Sequence, residues 1–351
     1  MKNIQPSVEE ALRDTSIVIA MKDDRRIFES LDTVDEDVEI VLALNGTPPQ
    51  LRSELAAHPK GVTITEIPDI GNLGGAYNAG IEAARGRYIL LMDSDCLFSP
   101  GTIRRMVERV TLYPVVKGQV LYETAPTLVS RLIARIREFD EGDYVSALSP
   151  PLIYDRRIAS QIGGYHFDPL IHWCEDREFD FRLQRAGIPV LYDARSTILH
   201  GAQVGFQNLR SYFRYGIGEA IGQELGVFVT PALPFFWRCL SNAHIVLECG
   251  ERKGLLAAAY YAVTLCSFHL GGLWHTVADP YRVRHRFPQT ARRVRLLRAI
   301  PQHCTELTEE QKRKLGEKNI WTGRLIVSSD EYRVQLAAAQ AALVNKSLTS
   351  S

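Results

Sequence analysis

Asp93-Ser94-Asp95 is the sharpest chemical signal in the chain. In extended backbone, residues i and i+2 point to the same side, so the two carboxylates are expected to face one way. They follow Tyr88-Ile89-Leu90-Leu91-Met92, an apolar run that reads as a buried strand. Open α/β sheets bind ligands at the carboxyl ends of such strands. Two carboxylates held together repel unless a cation sits between them. A hard divalent ion, Mg²⁺ or Mn²⁺, suits oxygen ligands and would keep positions open for phosphate oxygens. The plain alternative is a polar turn after a buried strand.

Two further groupings carry chemistry. Gly71-Asn72-Leu73-Gly74-Gly75-Ala76-Tyr77-Asn78-Ala79-Gly80 lies at a strand-to-helix junction. Its glycines allow backbone to approach a ligand closely, and the helix start favours anions. It matches neither the dinucleotide fingerprint nor the phosphate loop of ATPases. Trp173-Cys174-Glu175-Asp176 places two acids in the first turn of a helix, beside an aromatic wall. Favourable interaction with the helix dipole alone would explain such acids. The functional alternative is a general base that takes the proton of an attacking hydroxyl. His200 ends a strand, and by spacing alone it is no more than a structural histidine.

These groups need a frame, and the apolar pattern supplies one. Short apolar runs alternate with helical patterns over the first two-thirds of the chain, which predicts an α/β sheet. Strands are expected at 16–20, 38–44, 62–67, 88–92, 188–192 and 197–200. Helices are expected at 50–57, through Ala84, after the Ser99-Pro100 cap, over 125–144, and at 175–186 before Gly187. The expected division is a catalytic domain over 1–225 and a mostly helical region over 226–351.

An apolar content of 46% and a charged content of 23% exclude disorder as the default. A net charge of zero argues against a nucleic-acid binder. Six scattered cysteines form no Cys-x-x-Cys pair, and no secretory-type stretch opens the sequence, so a cytoplasmic setting is expected. Gly254 to Ala278 carries no Asp, Glu, Lys or Arg. Tyr281 to Arg298 then carries seven arginines and no acid. Two readings of 254–298 stand: a helix buried against the catalytic domain, or a peripheral contact with the cytoplasmic membrane face.

Taken in order, these motifs resemble the inverting glycosyltransferases of family 2. The resemblance covers about Thr15 to Leu225. It rests on Asn72-Leu73-Gly74, Asn78-Ala79-Gly80, Asp93-Ser94-Asp95, Ile162-Gly163-Gly164-Tyr165, Trp173-Cys174-Glu175-Asp176, Phe181-Arg182-Leu183 and Ala186-Gly187. It implies the GT-A fold, a mostly parallel central sheet flanked by helices, with a C-terminal helical extension. It implies a nucleotide-diphosphate sugar donor and a hydroxyl acceptor: a lipid-linked glycan, a natural product or a peptide. It implies Asp176 as catalytic base with Glu175 in support. Asn72, Gly74, Asn78, Asp93, Asp95 and Trp173 would bind the nucleotide sugar, and Asp95, Asp93 and His200 would hold the Mg²⁺ or Mn²⁺. Two places depart from the family pattern. The first strand ends Ala20-Met21-Lys22-Asp23-Asp24 rather than in Pro-Thr, and Leu44 stands where relatives carry a base-reading aspartate. Asp23 or Asp24 is the nearest substitute. The competing readings are a sugar nucleotidyltransferase of related fold, which lacks its glycine-rich loop here, and a non-catalytic sugar-nucleotide binder.

Overall fold

The strand β1 (Thr15–Met21) is buried along its whole length, as an all-apolar run covered on both faces requires. The computed structural model describes residues 6–67, 72–141, 146–228 and 242–283, all within one compact unit. A short helix, α1 (Val8–Arg13), precedes β1 and opens on a capping box between Ser7 and Glu10. The chain continues through α2 (Ile27–Asp32), β2 (Glu39–Leu44), α3 (Pro49–Ala56), β3 (Thr63–Glu66) and α4 (Leu73–Ala83). Next come β4 (Tyr88–Asp93), β5 (Cys96–Phe98), α5 (Thr102–Val110), β6 (Val115–Tyr122), α6 (Leu128–Glu141) and β7 (Leu152–Asp155). A 3₁₀ turn over Arg156–Gln161 leads to α7 (Glu175–Arg185), β8 (Leu191–His200) and α8 (Gly205–Glu224). Two more helices follow, α9 (Ala243–Lys253) and α10 (Leu255–Ala278).

The strands form one sheet in the order β3-β2-β1-β4-β7-β6-β8-β5. Its first half, β3 to β4, is parallel, so the carboxyl ends of β1, β2 and β4 share one edge. Its second half is mixed: β7 runs antiparallel to β4 and β6, and β5 antiparallel to β8. The expected α/β architecture with a helical C-terminal part is what the chain adopts.

Three details correct the sequence expectations. The two strands expected at 188–192 and 197–200 are one strand, β8, with a register shift opposite Gly118 and Gln119. A Cβ on Gly118 would lie 2.4 Å from the Ser196 carbonyl oxygen, so only glycine lets the bulged backbone cross there. Helix α5 does not start from the Ser99-Pro100 cap. Its N-cap is Gly101, in the left-handed region at φ 69°, whose N–H donates to Asp35 at 2.6 Å. Asp95 lies in a turn between β4 and β5 rather than in extended chain, so the pleat is not what brings it near Asp93. The strands β5, β6 and β7 escaped notice because they are short or interrupted by Lys117, Gly118 and Gln119.

The expected region 226–351 is described at 226–228 and 242–283. The arginine run from Arg284 to Arg298 and the tail to Ser351 lie outside the described residues, as do Gly71 and the stretch 229–241. Helix α10 lies along α8 at backbone contact: a Cβ on Gly271 would fall 1.8 Å from the Phe213 carbonyl oxygen. Its remaining surface exposes Leu256, Val263, Leu270 and Val277, at intervals of seven, with Leu273 and Trp274 beside them.

Candidate active site

At the carboxyl edge of the parallel half-sheet, Asp93 ends β4 and accepts a hydrogen bond from the Tyr77 hydroxyl at 2.8 Å. Tyr77 comes from α4, is fully buried, and also lies 3.2 Å from Ser149 Oγ. The backbone N–H of Ser149 donates to Asp176 Oδ2 at 3.3 Å. Asp93, Tyr77, Ser149 and Asp176 thus form one connected cluster, although 83 positions separate the two aspartates in sequence (176 minus 93).

The electrostatics of the acids differ. Burial raises the Asp93 carboxyl to about 6, and the Asp95 charge adds to the shift. Burial, then the neighbouring Asp176, lifts Glu175 to about 8. Asp176 is raised by burial to about 6, while the N–H groups of Arg177 and Ser149 oppose the rise. Arg177 N donates to Asp176 Oδ1 at 2.7 Å, whereas Glu175 Oε2 is buried without a partner among the described residues. Charge therefore settles on Asp176 and the proton on Glu175. Lys117, a buried lysine of β6 whose ammonium donates to the Pro150 carbonyl at 2.5 Å, favours the charged forms of both Asp93 and Asp176.

Asp95 and His200 meet on the strand pair β5/β8, where Cys96 is registered opposite His200. His200 Nε2 lies 3.7 Å from Asp95 Oδ2. Its Nδ1 lies 2.9 Å from the Gly201 carbonyl, an acceptor only, so Nδ1 carries the proton in neutral His200 and the Nε2 lone pair faces the carboxylate. A lone pair and an anion aimed at each other fit a shared cation. Donor atoms of Asp95, Cys96 and His200 lie within 4.8 Å of one another. The Cys96 thiol, raised by burial and by Asp93 and Asp95, stays protonated, which leaves an oxygen–nitrogen pair suited to Mn²⁺ or Mg²⁺. Arg26, from the loop after β1, reaches the same carboxylate at 3.3 Å.

The glycine-rich segment packs against the loop before α7. Asn72 caps α4 by accepting the Gly75 N–H at 2.8 Å, and its amide donates to the carbonyls of Pro169 and Ile171, both at 2.9 Å. Asn78 binds the Phe167 backbone through both ends of its amide, at 2.7 and 3.0 Å. A Cβ on Gly74 would sit 3.1 Å from that of Glu175. The three residues seat α4 against the loop that delivers Glu175 and Asp176. The Gly163-Gly164-Tyr165 segment is held similarly: fully buried Arg182 pairs with Glu178 at 2.7 Å and takes the carbonyls of Ile162 and Tyr165. Such a pair persists in the interior only with its donors satisfied.

Trp173 precedes the acid pair with φ 71°, a left-handed backbone costly for a bulky residue. Its indole N–H donates to the Tyr281 hydroxyl at 2.9 Å, and the Arg214 guanidinium lies 4.2 Å from its ring centre. Asp24 is engaged by Arg26 through N–H bonds of 3.0 Å, and Asp23 is exposed. Tyr77, Lys117, Ser149, Arg26 and Arg214 were not singled out from the sequence. The available signals were one aromatic in a helix of small residues and one lysine inside an apolar strand.

Residues 17–159 match the family Glycosyl transferase family 2. Over this stretch the chain resembles a family 2 glycosyltransferase domain. It contains Asn72, Asn78, Asp93 and Asp95, while Glu175, Asp176 and His200 follow it. The chain also resembles the succinoglycan biosynthesis protein ExoO of Rhizobium meliloti (strain 1021), with 31% identity over 118 residues. That match covers 30% of this chain and 32% of the relative, about a third of each. Among solved structures, the mannosyltransferase PcManGT from Pyrobaculum calidifontis, in complex with GDP-Man and Mn²⁺, is similar at TM-score 0.48 and 14% identity, over 82% of this chain and 86% of that one. The glucosyl-3-phosphoglycerate synthase of Mycobacterium tuberculosis, in complex with Mn²⁺, UDP and phosphoglyceric acid, is similar at TM-score 0.46 and 16% identity, over 64% and 84%. At these scores neither structural likeness bears on the chemistry.

Proposed function

We propose that the chain transfers a sugar, with inversion, from a nucleotide-diphosphate donor to a hydroxyl acceptor. The observation that carries this reading is the chain of contacts Asp93–Tyr77–Ser149–Asp176, which sets a proton-accepting carboxylate beside the Asp93/Asp95/His200 cluster. Asp95 and His200 would hold the divalent cation, with Asp93 adding charge on its open side. The ion would supply Lewis-acid stabilisation to the leaving diphosphate. Asp176 keeps the negative charge through its two backbone N–H partners and accepts the acceptor's proton. Glu175 keeps a proton and lowers the local charge against which Asp176 works. Tyr77 fixes the Asp93 carboxylate. Asn72, Gly74 and Asn78 act on the nucleotide sugar through the loop they position, and Trp173 walls the acceptor side.

The test is metal-dependent nucleotide binding across a panel of nucleotide sugars, by thermal stabilisation or calorimetry with added Mn²⁺. Asp95→Ala and His200→Ala are each expected to weaken Mn²⁺-dependent binding roughly 10–100-fold, as loss of a ligand or its support does. Wild-type binding in both variants would remove the metal assignment. Transfer or donor hydrolysis in the same panel separates a transferase from a nucleotidyltransferase and from a non-catalytic binder.

A membrane contact through 254–298 completes the proposal. Helix α10 has 24 residues and holds an apolar stretch of 18 with a mean hydropathy of 1.3, yet only 28% of that stretch is buried. The Leu256/Val263/Leu270/Val277 stripe is continuous exposed apolar surface of the kind that marks an interaction site. Arg282 and the following arginine run suit an anionic lipid surface, at about 1 kcal/mol per charge. The intact protein is expected to float with anionic liposomes at low salt and to release at high salt. Failure to float at low salt would discard the contact.

A further inference from the structure

Arg214 makes no ion pair among the described residues. Its guanidinium lies over the ring of Trp173, two positions before Glu175 in the chain, and the residue is partly exposed. Arg210, one turn earlier on α8, is exposed and likewise unpaired. Like charges at i and i+4 destabilise a helix, and Arg214 is disfavoured in its charged form by burial and by Arg210. Tyr281 and Tyr215 offset this in part, but no carboxylate among the described residues pairs with either arginine.

The arrangement is nevertheless held rigidly. Gly218 continues the face of Arg210 and Arg214, and a Cβ there would fall 2.2 Å from the His172 carbonyl oxygen, so α8 touches the 172–174 turn. Cys174 Sγ donates to the Tyr215 carbonyl at 3.4 Å. Tyr281 stacks on His172 at 3.9 Å and accepts from Trp173. The strained Trp173 backbone is thus fixed from several sides, and the guanidinium laid over its ring belongs to a partly exposed residue. An arginine stacked in this way matches an oxyanion with two parallel N–H bonds, and two unpaired charges match a dianion.

We propose that Arg214, laid on Trp173 with Arg210 one turn away, is an anion subsite on the acceptor side, and that the acceptor carries a phosphate group close to its reacting hydroxyl. This rests on the reading of Glu175 and Asp176 as the acceptor-activating end of the site. The donor diphosphate is the other source of the same chemistry, and its expected place is across the cluster at Asp95 and His200.

The experiment is calorimetric titration of the full chain with inorganic phosphate, and with acetate as comparison, free of nucleotide and then saturated with Mn²⁺ and UDP or GDP. Phosphate is expected to bind more tightly than acetate. Arg214→Gln should weaken it at least 10-fold, Arg210→Gln by a few-fold, Arg214→Lys by less than Arg214→Gln, and the surface control Arg131→Gln not at all. Nucleotide should leave phosphate binding unchanged. If Arg214→Gln does not fold, Arg210→Gln and Arg214→Lys still report on the site. Phosphate binding that is indifferent to Arg214 and Arg210, or that acetate equals, would overturn the proposal. Competition between phosphate and nucleotide would overturn it too, by assigning the arginines to the donor. Loss of all Mn²⁺-dependent nucleotide binding would instead strike the glycosyl-transfer reading, which the nucleotide-free titration measures separately.

Discussion

Asp176→Asn is expected to lower turnover about 10²–10⁴-fold while Mn²⁺-dependent nucleotide binding stays near the wild-type value. The substitution removes the charge that the Arg177 and Ser149 N–H groups stabilise, yet keeps an oxygen that can still accept from Arg177. The amide cannot take the acceptor's proton. Because Asp176 is assigned to the acceptor's proton and Asp95 and His200 to the metal, the loss should fall on kcat and not on nucleotide affinity. Steady-state kinetics with whichever donor of the panel the wild type uses, together with calorimetric nucleotide affinity, checks both halves. Turnover within a few-fold of wild type would take Asp176 out of the proton-transfer role. A parallel loss of nucleotide binding would make it part of the donor site.

Glu175 governs a second large effect, on stability. Its carboxyl is 4% exposed, one oxygen has no partner among the described residues, and burial followed by Asp176 lifts it to about 8. A folded-state value above the unfolded one means that the native state binds the extra proton. The associated stability is fully present below about 4.5 and is lost as pH rises through about 8. Metal-free protein should therefore lose a few kcal/mol between about pH 5 and pH 8, with burial of Asp93 and Asp176 contributing in the same direction. Glu175→Gln removes the largest part of that slope. Its Tm at pH 8 is expected to exceed the wild-type Tm by roughly 5 °C, the two curves converging toward pH 5. Thermal melts in chelator across this range decide it. Parallel curves would mean that Glu175 is ionised in the fold.

The two effects separate the neighbouring acids. Asp176 accepts a backbone N–H on each of its oxygens and is charged for chemistry; Glu175 keeps one buried oxygen without a partner among the described residues and holds a proton at the expense of stability at high pH. Sequence position gives no hint of this division, because Glu175 and Asp176 are adjacent and both open α7. The difference arises from Ser149, contributed by a loop 27 positions away.

Much of the frame was legible in the chain itself. All-apolar runs at Ile17 to Ala20, Ile40 to Leu44 and Tyr88 to Met92 identify the parallel core strands, because a strand covered on both faces has no polar side to show. Period and terminators also marked α7, from the paired acids at its start to Gly187 after its end. Asp93, Asp95, Glu175 and Asp176 stood out by residue type and place, and His200 only through the family resemblance. Local chemistry fixes such features within a few residues.

The partners of each side chain, in contrast, lie far away in sequence and come together only on folding. The Asn72 amide N–H groups donate to Pro169 and Ile171, and Asn78 bonds Phe167 through both ends of its amide, partners almost a hundred positions on that no local pattern reveals. His200 is undistinguished until the pairing of β5 with β8 sets it against Asp95. Tyr77, Lys117 and Arg214 carry no motif at all; their place follows from sheet order and helix packing. Spacing along a chain constrains what one element can present, whereas proton affinity and charge pairing are set by the several elements that surround a group once it is buried.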